Sequence, residues 1–472
     1  MRLLQSMTLI ALLAGVGCGQ SSSGSPDVSP SSGAPARLSV PVHYFKLKNG
    51  LKVVVSPDST APTSTIAVYY NIGFRNEPKE RTGFAHLFEH MMFQGSQNLG
   101  KMEFVRLVES NGGLLNGSTR FDFTNYFQVV PSHVIEPVLW AEADRMRSLA
   151  IDGENLKNQQ EVVKNEVRVN VLNQPYGGFP WIDLPMAANQ NWYNSHNFYG
   201  ELAHLDAATL EDVRSFFKTF YSPNNAVLVI TGDVALEQAR GLVEKYFSTI
   251  PAATLPAAPD LTEPRQETER RAGRKDPLAN RPALGVAFHV PQRRTPEWYA
   301  FGLIDQALAQ GADSLLFDEL VRKRAMTGGL DAGINWGLGN MFDYSGPMLW
   351  MAQVFHDPST TPDALVAAID SVVERIRTQG LDQPTLDRAR IKMRARLYGA
   401  LEEFAGFGRA NLLASFALFD DDPGLINQLE DEFAKVTSAV VQKTAEEYLR
   451  PGNRTIYTIE AGKASESAKE AK

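Results

Sequence analysis

Cysteine is almost absent. Cys18 is the only one in 472 residues, so no disulfide can form within the chain. Basic charge is also short: 46 Lys and Arg face 54 Asp and Glu, a net charge of −8. That argues against a nucleic-acid partner, which needs a basic face. The apolar run at the N-terminus, Met7 to Val16, falls well short of the roughly 20 residues that span a bilayer. What is present is ordinary for a globular protein, 43% hydrophobic and 21% charged. The length exceeds one core and suits two domains of about 200 residues each.

The first residues, "MRLLQSMTLIALLAGVGC", run from a charge through an apolar stretch to small residues, the order of an export signal. Cys18 stands where the signal should end. The segment resembles a bacterial lipoprotein signal, with Cys18 as the lipidated first residue of the mature chain. Gly15 departs from that pattern, which usually has Leu three before the cysteine. An ordinary cleaved signal is the alternative. The following "GQSSSGSPDVSPSSGAPA" has almost nothing to bury and reads as a disordered tether. Together these segments imply a cell-envelope protein that meets the membrane through a lipid anchor only, on the periplasmic face.

Folded sequence should begin near Val40. "VHYFKLKNGLKVVVSPD" reads as two strands around Asn49-Gly50. Strands are expected again at "TSTIAVYYNIG", "TNYFQVVP" and "NAVLVITGD". Helices are expected over 83–93, 101–110, 133–151, 154–172, 210–220 and 236–247. The stretch 251–282, rich in Pro, Ala and charge, reads as a linker. A second half then repeats the rhythm from "ALGVAFHVP", with helices expected over 296–310, 361–378, 383–407 and 423–448. The expected organisation is a signal (1–18), a tether (19–39), an N-terminal domain (40–250), the linker, a C-terminal domain (283–460) and a disordered tail (461–472). The fold class is α+β, two similar units each with a sheet carrying helices.

"GFAHLFEHMMFQGS" is the chemically informative stretch. On a helix His86 and His90 stand one above the other, with Cβ atoms about 5–6 Å apart, which suits two ligands of a tetrahedral zinc. Glu89 lies beside them, placed to reach a metal-bound water. The flanking residues are apolar, and burying three such polar groups is costly unless they are satisfied. His-x-x-Glu-His arises by chance in roughly one chain of this length per hundred, and it is the inverzincin order. A third ligand is required. The helix "LKNQQEVVKNEVRVN" offers Glu161 and Glu166, and spacing alone does not choose between them.

Taken together, "NGLKVVV", "GFAHLFEHMMFQGS", "NGGLLNGSTRFDFTNYF", "QQEVVKNEVR" and "FYSPNNAVLVITGDV" resemble the pitrilysin–insulinase–mitochondrial processing peptidase family. The resemblance continues more loosely through "SLLFDELVRKRAM". It implies largely antiparallel sheets in two domains that form half of a clamshell. It also implies one Zn2+ per chain, held by His86, His90 and Glu166, with Glu89 acting on the water. Gln159 takes a supporting position that is usually glutamate. Leu114, Leu115, Asn116, Gly117, Ser118 and Thr119 match the sheet edge that binds substrate by backbone pairing. Arg322 matches an arginine that helps hold the scissile carbonyl, while its usual tyrosine partner falls on Gly328. Short-chain members work as pairs, so a homodimer, or a heterodimer with a homologous subunit carrying the Arg/Tyr pair, is expected.

The activity implied is zinc-dependent endopeptidase action on unfolded peptides or extended segments. The alternatives are a non-catalytic peptide-binding subunit of a two-subunit peptidase, and an envelope assembly lipoprotein with no enzymatic role.

Overall fold

The computed structural model describes residues 37–462. The signal and its Cys18, nearly all of the tether and nearly all of the tail lie outside the described residues. Among the described residues, no helix is long and apolar enough to cross a membrane.

Six strands make the first sheet: β1 (His43–Lys46), β2 (Lys52–Pro57), β3 (Thr63–Tyr70), β4 (Leu114–Thr119), β5 (Thr124–Pro131) and β6 (Ala226–Gly232). Their order is β1-β2-β6-β3-β5-β4. Five make the second: β7 (Arg270–Asp276), β8 (Ala283–His289), β9 (Asp331–Ile334), β10 (Leu349–Phe355) and β11 (Arg454–Ala461), in the order β7-β11-β8-β10-β9. Setting β1 aside, the two sheets share one plan. A parallel pair, β2 with β6 or β7 with β11, is followed by antiparallel neighbours. In each sheet the last strand in sequence inserts beside the first.

The central strands β3 and β6 are buried along nearly their whole length because both faces of the first sheet are covered. Such strands read as continuous β-branched and aromatic runs rather than alternating ones. Side chains of period two divide between the faces. Val53, Val55, Ile66, Val68, Tyr70, Leu228 and Ile230 share one core with Leu87 and Phe88 of α1 (Phe84–Met91) and with Val138 and Leu139 of the helix Ile135–Arg147. The other face meets the end of the helix Gln383–Phe419, which comes from the second half of the chain. There Tyr69 donates to Asn411 Oδ1 at 2.7 Å, and the rings of Phe127 and Phe407 stack. The exchange is reciprocal. Leu184 and Ala188, on a short helix (Asp183–Ala188) of the first half, bury against Ala287, Leu349 and Met351 of the second sheet.

Several sequence expectations are corrected. The stretch 251–282 is not all linker, since it carries β7. That strand reads "RRAGRKD", is mostly solvent-facing, and takes its place from backbone bonds to β11, so no apolar period announces it. The helix expected over 154–172 stops as an α-helix at Val167 and continues as one π turn, Arg168–Leu172. The helix expected to end at Phe407 runs to Phe419 but is broken at 403–406, where Phe404, Ala405 and Gly406 have positive φ. The helix expected over 423–448 is three pieces, with an extended break at Val436.

Candidate metal centre

α1 has eight residues and starts abruptly. Its N-cap is Gly83, at φ 85°, with no side-chain cap of its own. A Cβ there would lie 2.6 Å from the carbonyl oxygen of Tyr199, so position and conformation both demand glycine. The exposed helix N–H groups are met from upstream. Glu77, fully buried, accepts from Gly83 N at 2.8 Å and from Ala85 N, a carboxyl group set on the positive end of the helix. Burial pushes the Glu77 carboxyl up, to about 8, against the downward pull of those N–H groups. From the sheet side, Tyr126 donates its hydroxyl to Phe88 O at 2.9 Å, and Thr119 donates to Ala85 O at 3.4 Å.

So held, α1 presents His86, buried, with Glu89 and His90 half-buried. The imidazole Nε2 atoms stand 3.3 Å apart. Opposite them lies α2, the helix Gly153–Val167, whose N-cap Asp152 accepts from Asn155 N at 2.8 Å. Glu166 projects from its last turn, just before the π turn. Its Oε1 is 3.6 Å from His86 Nε2, and its Oε2 is 3.2 Å from His90 Nε2. Glu161 is excluded from this cluster: it faces solvent and pairs with Lys164 at 2.6 Å. The choice that spacing left open is made by orientation on α2.

The three donors fit a metal ion. Zinc bonds of about 2.0–2.1 Å at tetrahedral angles place neighbouring donor atoms about 3.4 Å apart; the imidazole nitrogens stand 3.3 Å apart, one Glu166 oxygen lies 3.2 Å from His90 and the other 3.6 Å from His86, and one donor atom from each residue lies within 4.8 Å of the others. Among the described residues this is the group of His, Cys, Asp and Glu side chains that converges on one point. Electrostatics agrees with a cation-seeking site. Burial works against a charged Glu166, but bonding from His86 and His90 outweighs it and holds the carboxyl far below its usual range. Burial likewise opposes charge on His86, and Glu166 with Glu89 overcomes it, moving that imidazole upward. The Glu89 carboxylate makes no hydrogen bond or ion pair among the described residues, which leaves it available.

Gln159 sits buried two turns before Glu166 on α2. Leu114 to Thr119 form β4, the edge of the first sheet, bonded on one side to β5. Leu114 and Asn116 are exposed, whereas Gly117 and Thr119 are buried toward α1. Arg322 is not brought into the cluster. It is exposed, with its guanidinium 5.5 Å over the Phe317 ring, and no hydrogen bond or ion pair among the described residues joins it to the metal-site side chains. Gly328 is exposed too, and a Cβ there would meet nothing within 4 Å.

Three residues that sequence reasoning missed complete the surroundings: Glu77, Tyr199 and its neighbour Phe198. Glu77 lies in the polar run "RNEPKERTG", where nothing marks one carboxylate as buried. Tyr199 lies in an irregular stretch, far from Glu166 in sequence. No periodicity marks that region, and none of the motifs that carry the family resemblance reaches it.

The chain is similar to known proteins over most of its length. Residues 52–176 match the family model described as insulinase (peptidase family M16), and 207–393 match that of the peptidase M16 inactive domain. The chain is 25% identical over 414 residues to the zinc protease PqqE of Helicobacter pylori, covering 87% of this chain and 90% of that one. A crystal structure of a protease from Helicobacter pylori superposes with a TM-score of 0.81 at 25% identity, covering 89% of this chain and all of that one. The periplasmic protease PqqL of Escherichia coli shares the fold, with a TM-score of 0.70 at 18% identity, and this chain matches 49% of its length. The architecture is that of one half of such a clamshell peptidase.

Proposed function

Since the chain belongs to the M16, or insulinase, family of peptidases, we propose that it is a zinc metalloendopeptidase acting on unfolded peptides or extended segments. The observation that carries this reading is the convergence of His86, His90 and Glu166, one donor atom from each within 4.8 Å of the others, beside a Glu89 carboxylate without a hydrogen-bond partner among the described residues. His86, His90 and Glu166 would hold one zinc ion, which when bound supplies a Lewis acid and draws the pKa of a coordinated water toward 7. Glu89 accepts the proton of the attacking water and delivers it to the leaving amine. The free edge of β4 aligns the substrate backbone as an added strand, which asks little of its sequence. Burial of Phe84, Leu87, Phe88 and Met91 on α1 keeps the two imidazoles in fixed register.

Arg322 is the proposed donor to the scissile carbonyl. Its exposed position, and Gly328 where a tyrosine is usual, favour a site shared between two homologous subunits. Cys18 is the proposed lipid attachment point, placing the enzyme on the periplasmic face of the envelope. A second reading, a peptide-binding subunit without activity of its own, draws on the match of 207–393 to an inactive-domain model.

The test is Glu89→Gln in the full chain. Zinc content by elemental analysis should stay near one per chain, while cleavage of an unfolded peptide falls by at least about 10²-fold. Undiminished cleavage by a clean Glu89→Gln preparation refutes the assigned role. Wild-type protein that binds the unfolded peptide, carries no stoichiometric zinc and cleaves nothing on its own supports the second reading.

A further inference from the structure

Tyr199 touches both elements of the metal centre. Its hydroxyl donates to Glu166 Oε1 at 3.4 Å, and its ring meets that of His86 edge-on, centroids 5.0 Å apart. The bond is long for an O–H···O pair, as befits an oxygen that also faces His86 Nε2 at 3.6 Å. A ligating imidazole ordinarily has its other nitrogen bonded to a carboxylate or carbonyl, which fixes the ring. His86 lacks that support: its Nδ1 is buried with no hydrogen-bond partner among the described residues. Ring packing takes its place, from Tyr199 on one side and from Phe198 at 5.2 Å.

The segment that carries Tyr199 is fixed firmly. The carbonyl of Tyr199 abuts the α-carbon of Gly83, and a Cβ on Gly200 would lie 2.3 Å from Gly83 N. Glu201 N donates to Thr82 Oγ1 at 2.9 Å. Trp181 packs on both aromatic rings, at 5.5 Å from Phe198 and 6.0 Å from Tyr199. Glu166, by contrast, is half-buried on a flexible side chain at a helix end. Holding such a carboxylate in one rotamer costs entropy that the rest of the site must offset.

We propose that Tyr199 is a positioning residue: it orients the Glu166 carboxylate and the His86 ring toward each other before metal arrives. The proposal rests on the zinc reading above, and its test separates the two. Tyr199→Phe keeps the ring and removes the hydroxyl. Zinc affinity, measured on the full chain by competition with a chromophoric chelator, should fall about 10- to 100-fold, while the melting temperature of the metal-free protein stays within about a degree of wild type. In a Glu166→Gln background the same substitution should change zinc affinity less than two-fold, because the hydroxyl acts through that carboxylate. Equal zinc affinity of wild type and Tyr199→Phe overturns the proposal and leaves the peptidase reading intact. An equal loss in both backgrounds also overturns it, since the effect would then be general. Wild-type protein that binds no stoichiometric zinc overturns the reading on which both stand. Should Tyr199→Phe fold poorly, Tyr199→Trp keeps an aromatic ring without the hydroxyl, and the same comparison decides.

Discussion

Glu77→Gln should change stability in a way that depends on pH, with the sign set by burial. The Glu77 carboxyl is pushed up to about 8 in the folded chain, from an ordinary value of 4.5. Between those values the native state keeps a proton that the unfolded chain has released. Stability therefore falls as pH rises, by up to about 1.36 kcal/mol per pH unit from this one group. Over the window from 4.5 to about 8 the loss is on the order of 5 kcal/mol. Glutamine mimics the protonated acid and does not titrate. Wild type and Glu77→Gln should thus be nearly equal near pH 4.5, and the variant should gain steadily toward pH 8. At an unfolding entropy near 2.1 cal/mol/K per residue, a chain of this length converts that difference into about 5 °C of melting temperature. Scanning calorimetry of chelator-treated protein at four pH values would read it. A constant offset across pH refutes the reasoning. It would mean that Glu77 is ionised throughout, with the helix N-terminus outweighing desolvation.

Four further substitutions test the packing and the choice of ligand. Gly346 lies against Arg75, where a Cβ would come 1.9 Å from the guanidinium. That guanidinium is buried, pairs with Asp122 at 3.4 Å and donates to Pro347 O at 2.7 Å. Gly346→Ala should cost about 2–4 kcal/mol by displacing a buried ion pair, a melting shift of a few degrees. Gly328→Ala, in open space, should stay within about 0.5 kcal/mol. Glu161→Gln should leave zinc content unchanged, whereas Glu166→Gln should lower it sharply under the same dialysis.

Much of the fold could be read because buried strands and the HxxEH helix carry strong apolar patterns. Tyr69, Val229 and their neighbours in β3 and β6 announce themselves as runs that only a doubly covered sheet explains. β7 was hidden because its residues face solvent and its place depends on a strand nearly 200 residues away. The break at 403–406 was hidden because the helical period on either side of it is intact. At the site, two of the three proposed ligands were legible from spacing on one helix. Glu166 required a tertiary fact, namely which carboxylate of α2 turns inward. Glu77 and Tyr199 were illegible because each acts across an irregular loop, where neither period nor cap marks the residue.

The exchange of helices between the two sheets has a consequence for how the chain can be divided. A cut near residue 260 separates two stretches of similar length, and sequence composition invites it. Such a cut would strip the end of the Gln383–Phe419 helix from Tyr69 and Phe127, and would strip Leu184 from the second sheet, baring a greasy wall on each fragment. Neither fragment would be a protein in its own right. The two would have to be made together and find each other, so unfolding of the intact chain should proceed as one event for both halves.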